Sequence, residues 1–252
     1  MKSINYLGDN RLKHRIVYSK QEYTRCIYCG EAANTREHIP SKVFLEKPYP
    51  SNLYIVPACI DCNNSFSADE LFLSIFISWK KHKYTMNKHN VDIDLSEKLK
   101  KHNETLKKII RLLILDKNEE VKQKVEKILY KLAIGHAVYE LSEGFFRDSQ
   151  NFETSIKYTF LEEMTPHEVN DFTTPFILND YPLPEIGSRV YERIMVVEYK
   201  QDYLHKLRML MLDWVDVQDD IYTYTAYIFG STIKVKMVFL NYFFAEIHIK
   251  IS

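Results

Sequence analysis

The sequence predicts an α+β protein with a metal-organised N-terminal module, a central helical region and a C-terminal antiparallel β-meander. Three observations lead to this fold class. Four cysteines form two C-x2-C pairs, apolar residues recur at helical spacing between residues 67 and 145, and apolar and polar residues alternate between 190 and 252. We divide the chain accordingly into residues 1–80, 81–164 and 165–252.

The composition is that of a globular protein without net charge. The chain has 252 residues with 34 Lys or Arg and 34 Asp or Glu, so any attraction to nucleic acid depends on a local patch. It contains no G-x-G-x-x-G or G-K-[ST] motif, which disfavours a nucleotide-binding loop. It also lacks a signal-peptide-like start and an apolar run of about 18 residues, so we expect a cytoplasmic protein without membrane contact.

The four cysteines predict a structural zinc site. Cys26 and Cys29 form one pair, Cys59 and Cys62 form the other, and 29 residues separate the two pairs. Two residues between ligands let both thiolates of a pair face one ion, and two pairs complete a tetrahedral S4 shell. Such a closed shell leaves no position for water or substrate, so this zinc stabilises the fold and performs no chemistry.

The segment between the cysteine pairs carries a second group of polar residues. It contains Glu37-His38-Ile39-Pro40 and Asn52-Leu53, and Asn63 directly follows the last cysteine. A carboxylate and an amide are hard oxygen ligands suited to Mg²⁺, which reaches out to substrate phosphates. A neighbouring imidazole that does not bind this ion can take a proton from an attacking water molecule. This combination is typical of one-metal hydrolysis of a phosphodiester.

Residues 24–72 resemble the HNH endonuclease family, whose ββα-metal module often lies on a two-knuckle zinc site. Glu37-His38-Ile39-Pro40 is similar to the acidic-His-x-Pro element of that family, Asn52-Leu53 to its Asn-Leu, and Cys62-Asn63 to the start of its helix. The string from Arg36 to Glu70 is similar to a bacterial subfamily, some of whose members occur with phage-defence genes. The resemblance therefore implies a ββα-metal fold and a nuclease of bacterial defence or of a mobile element.

The resemblance also implies a role for each polar residue. His38 is the general base, Glu37 and Asn63 hold Mg²⁺ or another divalent ion, and Asn52 orients the imidazole. Many family members have Asp at the position of Glu37 and His at that of Asn63. Asn64 replaces Asn63 as the ligand if the helix starts one residue later.

The expected substrate is nucleic acid, with DNA favoured over RNA. Arg25, Arg36 and Lys42 lie near the motif in sequence and are candidates for phosphate contacts, which position a strand without reading its sequence. Arg36 has an alternative role as a salt-bridge partner. Glu70 lies seven residues after Asn63 on nearly the same helical face, where it supports the ion, hydrogen-bonds a ligand or complements the helix dipole.

A second hypothesis is a non-catalytic, zinc-stabilised module that binds nucleic acid or a protein. A zinc-ribbon transcription factor fits less well, because Glu37, His38 and Asn63 would then be coincidental. The regions after residue 80 have no assigned role, and we expect them to form a homodimer or to bind a regulatory protein.

The central region reads as three helices. The first carries an apolar face and is predicted to start with Ser67 as its cap. The second starts at Ser96, and a break at residues 116–118 precedes the third. Between Lys80 and Arg111 there are ten Lys or Arg against four Asp or Glu, the kind of basic stretch beside which a phosphate backbone can lie. The residues of the first apolar face are Leu71, Phe72, Ile75, Phe76 and Trp79.

The C-terminal region reads as an antiparallel meander. Alternating runs near residues 222–226, 233–239 and 247–251 are separated by turn signals at Asp219-Asp220, Gly230-Ser231 and Asn241. The four prolines between 165 and 188 predict an irregular connector.

Overall fold

The computed structural model describes residues 25–51, 53–89, 96–141, 153–178, 194–202, 205–212 and 214–250. These residues form an α+β fold of helices and antiparallel sheets. The helices are α1 (Ile60–His89), α2 (Glu97–Lys101), α3 (Asn103–Ile114), α4 (Asn118–Leu141) and α5 (Pro166–Thr173). The strands are β1 (Thr35–Ile39), β2 (Tyr54–Ala58), β3 (Thr154–Phe160), β4 (Phe176–Leu178), β5 (Ile194–Asp202), β6 (His205–Leu212), β7 (Val215–Gln218), β8 (Tyr222–Phe229), β9 (Thr232–Phe239) and β10 (Phe243–Lys250).

The N-terminal part is a two-stranded hairpin followed by a long helix. Strands β1 and β2 pair antiparallel, with Glu37 opposite Val56 and His38 opposite Ile55. Glu37 and Ile39 are buried, whereas Arg36 is exposed and His38 half-buried, so alternate residues of β1 face the protein interior. The buried face of the hairpin packs towards α1 and α4.

The predicted start of the first helix is wrong. Helix α1 begins at Ile60, and Ser67 lies about two turns inside it, where its hydroxyl donates to the carbonyl of Asn64. The side chain of Asn34 accepts from the backbone N–H of Ile60 at 2.8 Å, and the Cys59 sulfur accepts from the N–H of Cys62 at 3.3 Å. Backbone N–H groups at the N-terminal end of the helix are thus satisfied by a side chain distant in sequence and by a cysteine sulfur. The helix continues to His89, so the boundary placed at residue 80 lies inside it.

The other predicted helices are present, but the second is divided at His102 into α2 and α3. The Ser96 hydroxyl caps α2 by accepting from the N–H of Leu99, and Asp116, with φ of 54°, separates α3 from α4. Residues 131–140 of α4 are all buried, so this helix forms the centre of the molecule. It contacts α1 and α3, strand β1, and the strands β3, β8, β9 and β10 of the large sheet.

The predicted meander is confirmed and is larger than expected. The sheet has the order β3-β10-β9-β8-β7, and all its pairs are antiparallel. Its turns use Asp220, Gly230 and Asn241, each with positive φ. Strand β3 lies within residues 81–164, which we had assigned to helices alone.

The expectation of an irregular connector over residues 165–188 is wrong in its first half. Residues 165–178 contain α5 and β4. Thr165 and Glu168 form a capping box at the start of α5, and Pro166 occupies its first turn, where no backbone N–H is needed. Pro166 therefore initiates a helix here. Strand β4 pairs with β6 in a second sheet of order β4-β6-β5.

One continuous hydrophobic core joins the three regions of the chain. It includes Ile39 from β1, Phe76 from α1, Ile128 from α4 and Val235 from β9. At Gly135 of α4 the backbone approaches strand β1 so closely that an added Cβ would lie 2.5 Å from the Ile39 side chain. Within the described ranges, no helix combines the length and apolar character required to cross a bilayer.

Candidate metal centre and neighbouring polar site

The four cysteines form one cluster. Their four sulfur atoms all lie within 4.8 Å of one another, and the Cys29 and Cys59 sulfurs are 3.6 Å apart. Tetrahedral zinc with Zn–S bonds of about 2.3 Å requires sulfur–sulfur distances of about 3.8 Å. The donor set and its spacing therefore fit a structural zinc ion, as the sequence predicted.

The backbone around the cluster favours thiolates. The N–H of Tyr28 points to the Cys26 sulfur at 3.4 Å, and the N–H of Cys62 points to that of Cys59 at 3.3 Å. The second contact lowers the pKa of the Cys59 thiol, whereas burial raises that of Cys62. Backbone N–H groups directed at sulfur partly compensate the negative charge of an S4 shell.

The cysteine cluster places the first turn of α1 beside strand β1. The amide nitrogen of Asn63 donates to the Thr35 hydroxyl at 3.3 Å. Thr35 and Glu37 are two residues apart in the strand, so they face the same side, about 6.6 Å from each other. Asn63 and Glu37 therefore lie on one face of the hairpin. Asn64, the alternative ligand, is exposed.

His38 occupies the other face of β1. It follows Glu37 directly in the strand, and consecutive side chains point to opposite sides. The residue is half-buried, and its Nδ1 atom is shielded from solvent. The structure thus brings Glu37 and Asn63 to the face next to α1 and leaves His38 on the opposite face of the same strand.

Glu37 belongs to a buried charged cluster. The fully buried ammonium of Lys131, from α4, lies 2.5 Å from Glu37 Oε1 and 2.8 Å from the Ser41 hydroxyl, and it also contacts Glu70. The Ser41 hydroxyl in turn contacts Glu37 Oε1 at 3.1 Å and Glu70. Burial raises the pKa of Glu37, and the Lys131 charge opposes that shift. We call these four residues the Lys131 cluster.

Two buried oxygens next to this cluster have no hydrogen-bond partner among the described residues. They are Oε2 of Glu37 and the hydroxyl of Tyr28. Burial raises the pKa of Tyr28, and the charges of Glu37 and Glu70 raise it further, so the phenol stays protonated. Oε1 of Glu37 already accepts from the Lys131 ammonium. Its Oε2 is a buried carboxylate oxygen without a donor and is therefore available to a cation.

The remaining predicted site residues lie at the surface or outside the described ranges. Arg25, Arg36 and Lys42 are exposed, as phosphate contacts require. The Lys42 ammonium lies 5.6 Å from the ring centre of Tyr49. Asn52 lies outside the described residues, so its predicted role in orienting the imidazole stays a prediction.

Sequence reasoning missed Lys131, Ser41 and Tyr28. A signal existed for the first of these, because Lys131 interrupts the apolar run from Ile128 to Ile134. A lysine in the buried face of a helix needs a carboxylate partner. Only the tertiary structure identifies that partner as Glu37 and Glu70. Glu70 is thus engaged inside the protein instead of complementing the helix dipole at the surface.

Compared with known proteins, the chain matches no family model, no curated protein and no solved structure. The functional argument therefore depends on the residues themselves.

Proposed function

We propose that the module formed by the hairpin, the cysteine cluster and α1 is a metal-dependent HNH-type nuclease that hydrolyses phosphodiester bonds, with DNA as its substrate. The observation that carries the proposal is the Oε2 atom of Glu37, which is buried, lacks a hydrogen-bond partner among the described residues and lies on the face of β1 that Asn63 adjoins. A buried anionic oxygen without a donor is costly unless a cation completes it.

Glu37 and Asn63 are the residues that would hold the divalent ion. Such an ion supplies Lewis-acid stabilisation of the negative charge on the phosphate and on the leaving 3′ oxygen. The two carboxylates of the Lys131 cluster outnumber its single ammonium, so one negative charge is left to attract a cation when both are ionised. Lys131 and Ser41 fix Glu37 through Oε1, which leaves Oε2 as the ligand atom.

His38 is the group that would move the proton, from the face of β1 opposite to Glu37 and Asn63. In this proposal its imidazole accepts a proton from the attacking water molecule, and the exposed side chains of Arg25, Arg36 and Lys42 hold flanking phosphates. By the resemblance to HNH enzymes, the products carry 5′-phosphate and 3′-hydroxyl ends. The same resemblance is the basis for proposing a role in bacterial defence or in a mobile element.

The proposal is tested by nicking of supercoiled plasmid DNA in Mg²⁺, Mn²⁺ or Ni²⁺. We expect His38→Ala to reduce the rate about 10²- to 10⁴-fold, the usual contribution of a general base. The matched control is His89→Ala, an exposed histidine at the C-terminal end of α1 and outside the site, which should retain the wild-type rate. Both variants should keep one zinc per chain and the wild-type circular dichroism. Equal rates for wild type and His38→Ala would contradict the role of His38.

The cysteine cluster gives a separate prediction. Cys29→Ser opens the S4 shell, and structural zinc sites contribute folding free energy directly. We expect loss of zinc by metal analysis, rapid proteolysis within residues 25–89, and loss of nicking. A protein that keeps its zinc and resists proteolysis after this substitution would rule out the S4 site.

The second candidate is a zinc-stabilised binding module without catalysis. The contact between the Lys131 ammonium and Glu37 favours it, because this contact already balances one carboxylate charge without any metal. The position of His38 on the opposite face of β1 also favours it. A wild-type protein that cuts neither DNA nor RNA in any of the three metals, while binding nucleic acid as well as His38→Ala does, would support this function.

A further inference from the structure

A basic groove lies next to the proposed nuclease site. It is a cavity of about 730 Å³ between the segment 42–49, the helices α1 and α2, and the turns of the large sheet. We propose that this groove binds the phosphodiester backbone of a nucleic-acid strand and leads it to the nuclease site. The use of the bound strand depends on the proposed function, but binding itself is measured without cleavage.

Three side chains fix the walls of the groove. Lys81 from α1 donates to the carbonyl of Leu240 at 2.8 Å, and Lys98 from α2 donates to that of Val43 at 3.0 Å. The amide of Gln218, at the end of β7, both donates to and accepts from the backbone of Glu46 at 2.9 Å. The groove is therefore a formed feature that joins the N-terminal module to the C-terminal sheet.

The groove has an excess of positive charge. Five lysines line it against the carboxylates of Glu46 and Glu97. Burial lowers the pKa of Lys81 and Lys98, while the charge of Glu46 raises both. The other three lysines, Lys42, Lys47 and Lys101, are exposed, and none of them forms an ion pair with a carboxylate in the described part of the chain. Their ammonium groups are available to phosphates.

An aromatic ring at the groove suits a nucleic-acid strand better than a small anion. Tyr49 is 37% exposed, and the Lys42 ammonium lies 5.6 Å from the centre of its ring. A lysine beside an exposed ring offers one charge for a phosphate and one flat surface for a base, the combination that holds single strands. A free phosphate would use only the charge.

The groove is also within a few nucleotides of the proposed base. Lys42 follows His38 by four residues, which span at most about 14 Å when extended. One strand of nucleic acid rises about 3.4 Å per nucleotide, so this corresponds to about four nucleotides. A strand held by Lys42 can therefore reach His38.

The opposite side of α1 provides a matched control surface. Ser78, Lys81, His82 and Thr85 face the groove, whereas Lys83 and Lys88 line a smaller depression on the other side of the helix. There the two ammonium groups lie over the rings of Trp79 and Tyr84, at 5.0 and 5.5 Å from the ring centres. Charge reversal of Lys83 and Lys88 changes the net charge without touching the groove.

The test is the affinity for a fluorescent single-stranded DNA 20-mer, measured by anisotropy with the full-length His38→Ala protein and no added divalent ion. We expect Lys42→Glu with Lys101→Glu to weaken binding at least 10-fold and to lower the salt slope by about 1.4, or about 0.7 for each phosphate contact of a single strand. Lys83→Glu with Lys88→Glu should change the affinity less than 2-fold. Equal losses in both pairs, or no loss in the groove pair, would overturn the proposal.

A second variant predicts a gain that misfolding cannot produce. Glu46→Gln removes a negative charge from the groove and keeps the backbone contacts with Gln218, so binding should become about 2- to 5-fold tighter. Unchanged or weaker binding contradicts the groove. If the groove pair loses binding but the wild-type protein never cuts DNA, the proposed groove stands and the proposed nuclease function fails. If the wild-type protein cuts DNA but the groove pair binds it without loss, the nuclease function stands and the proposed groove fails.

Discussion

Helix α4 carries two polar clusters, and they are built on different principles. The Lys131 cluster joins α4 to the N-terminal module through charged groups, and one of its carboxylate oxygens has no hydrogen-bond partner among the described residues. The second cluster joins α4 to the sheet. There His136 Nε2 and the Tyr222 hydroxyl form a hydrogen bond of 2.7 Å, and His136 stacks on Tyr224, whose hydroxyl donates to Glu140.

The difference separates a candidate site from a structural contact. In the second cluster the buried atom without a partner among the described residues is Nδ1 of the neutral His136 ring, and the hydrogen bonds of Tyr222 and Tyr224 fix the helix on the sheet. The Lys131 cluster gains less from burial, because desolvation of its charges offsets their attraction. Charge is thus buried at the Lys131 cluster where apolar packing would serve stability equally well, and this is the electrostatic reason for placing the candidate site there. Three predictions test this comparison.

The largest expected effect is that of Lys131→Ala. This substitution leaves Glu37 and Glu70 buried without their counter-charge, and breaking a buried ion pair costs about 3–5 kcal/mol. Urea unfolding followed by circular dichroism measures the loss. The control is Lys122→Ala on the same helix, whose ammonium is exposed and 4.0 Å from Glu126, and which should change the free energy of unfolding by less than about 0.5 kcal/mol. Equal effects would show that the Lys131 cluster contributes nothing to stability.

The second prediction concerns pH. Burial lowers the pKa of His136 to about 3, below its value in the unfolded chain of about 6.5. The unfolded state therefore binds the additional proton between these values, and the free energy of unfolding should fall as pH falls, by up to about 1.4 kcal/mol per pH unit. The contribution of the neutral His136 to the free energy of unfolding is fully present above pH 6.5 and is lost as the pH falls towards 3. The His136→Gln variant should lose this slope, and the same slope in both proteins would assign it to other groups.

The smallest expected effect is that of Tyr222→Phe. It removes the hydroxyl from His136 Nε2, and a buried polar atom left without its partner costs about 1–3 kcal/mol. The measured quantity is again the free energy of unfolding. Plasmid nicking by this variant, assayed below its melting temperature, should equal that of wild type. A selective loss of nicking would mean that the second cluster also serves the site.

The sequence alone predicted the parts of the fold whose signals are local. The spacing of the cysteines predicted the S4 cluster, and the alternating runs predicted strands β8 to β10. The start of α1 could not be predicted in this way, because Asn34, 26 residues away, satisfies its first N–H. Strand β3 also has a local signal, the alternation of Ile156, Tyr158 and Phe160, although the prediction assigned this segment to the helical region.

The candidate site was predicted only in its residue types. The motif identified Glu37 and Asn63, and the structure places Asn63 against Thr35 of β1 and Glu37 beside Glu70 of α1, with Lys131 between the two carboxylates. The partner of Glu37 comes from α4, 94 residues later in the chain, so no local pattern reveals it. Burial of a single lysine thus changes the electrostatics that the motif alone implies.

The contact at Gly135 has a consequence for how the molecule transmits movement. Since the Ile39 side chain packs directly on the backbone of α4, a displacement of this helix would also move the strand that carries Glu37 and His38. A partner that displaces the sheet packed on α4 would thus change the positions of Glu37 and His38. A methyl group at position 135 would collide with the Ile39 side chain and shift the strand relative to the helix.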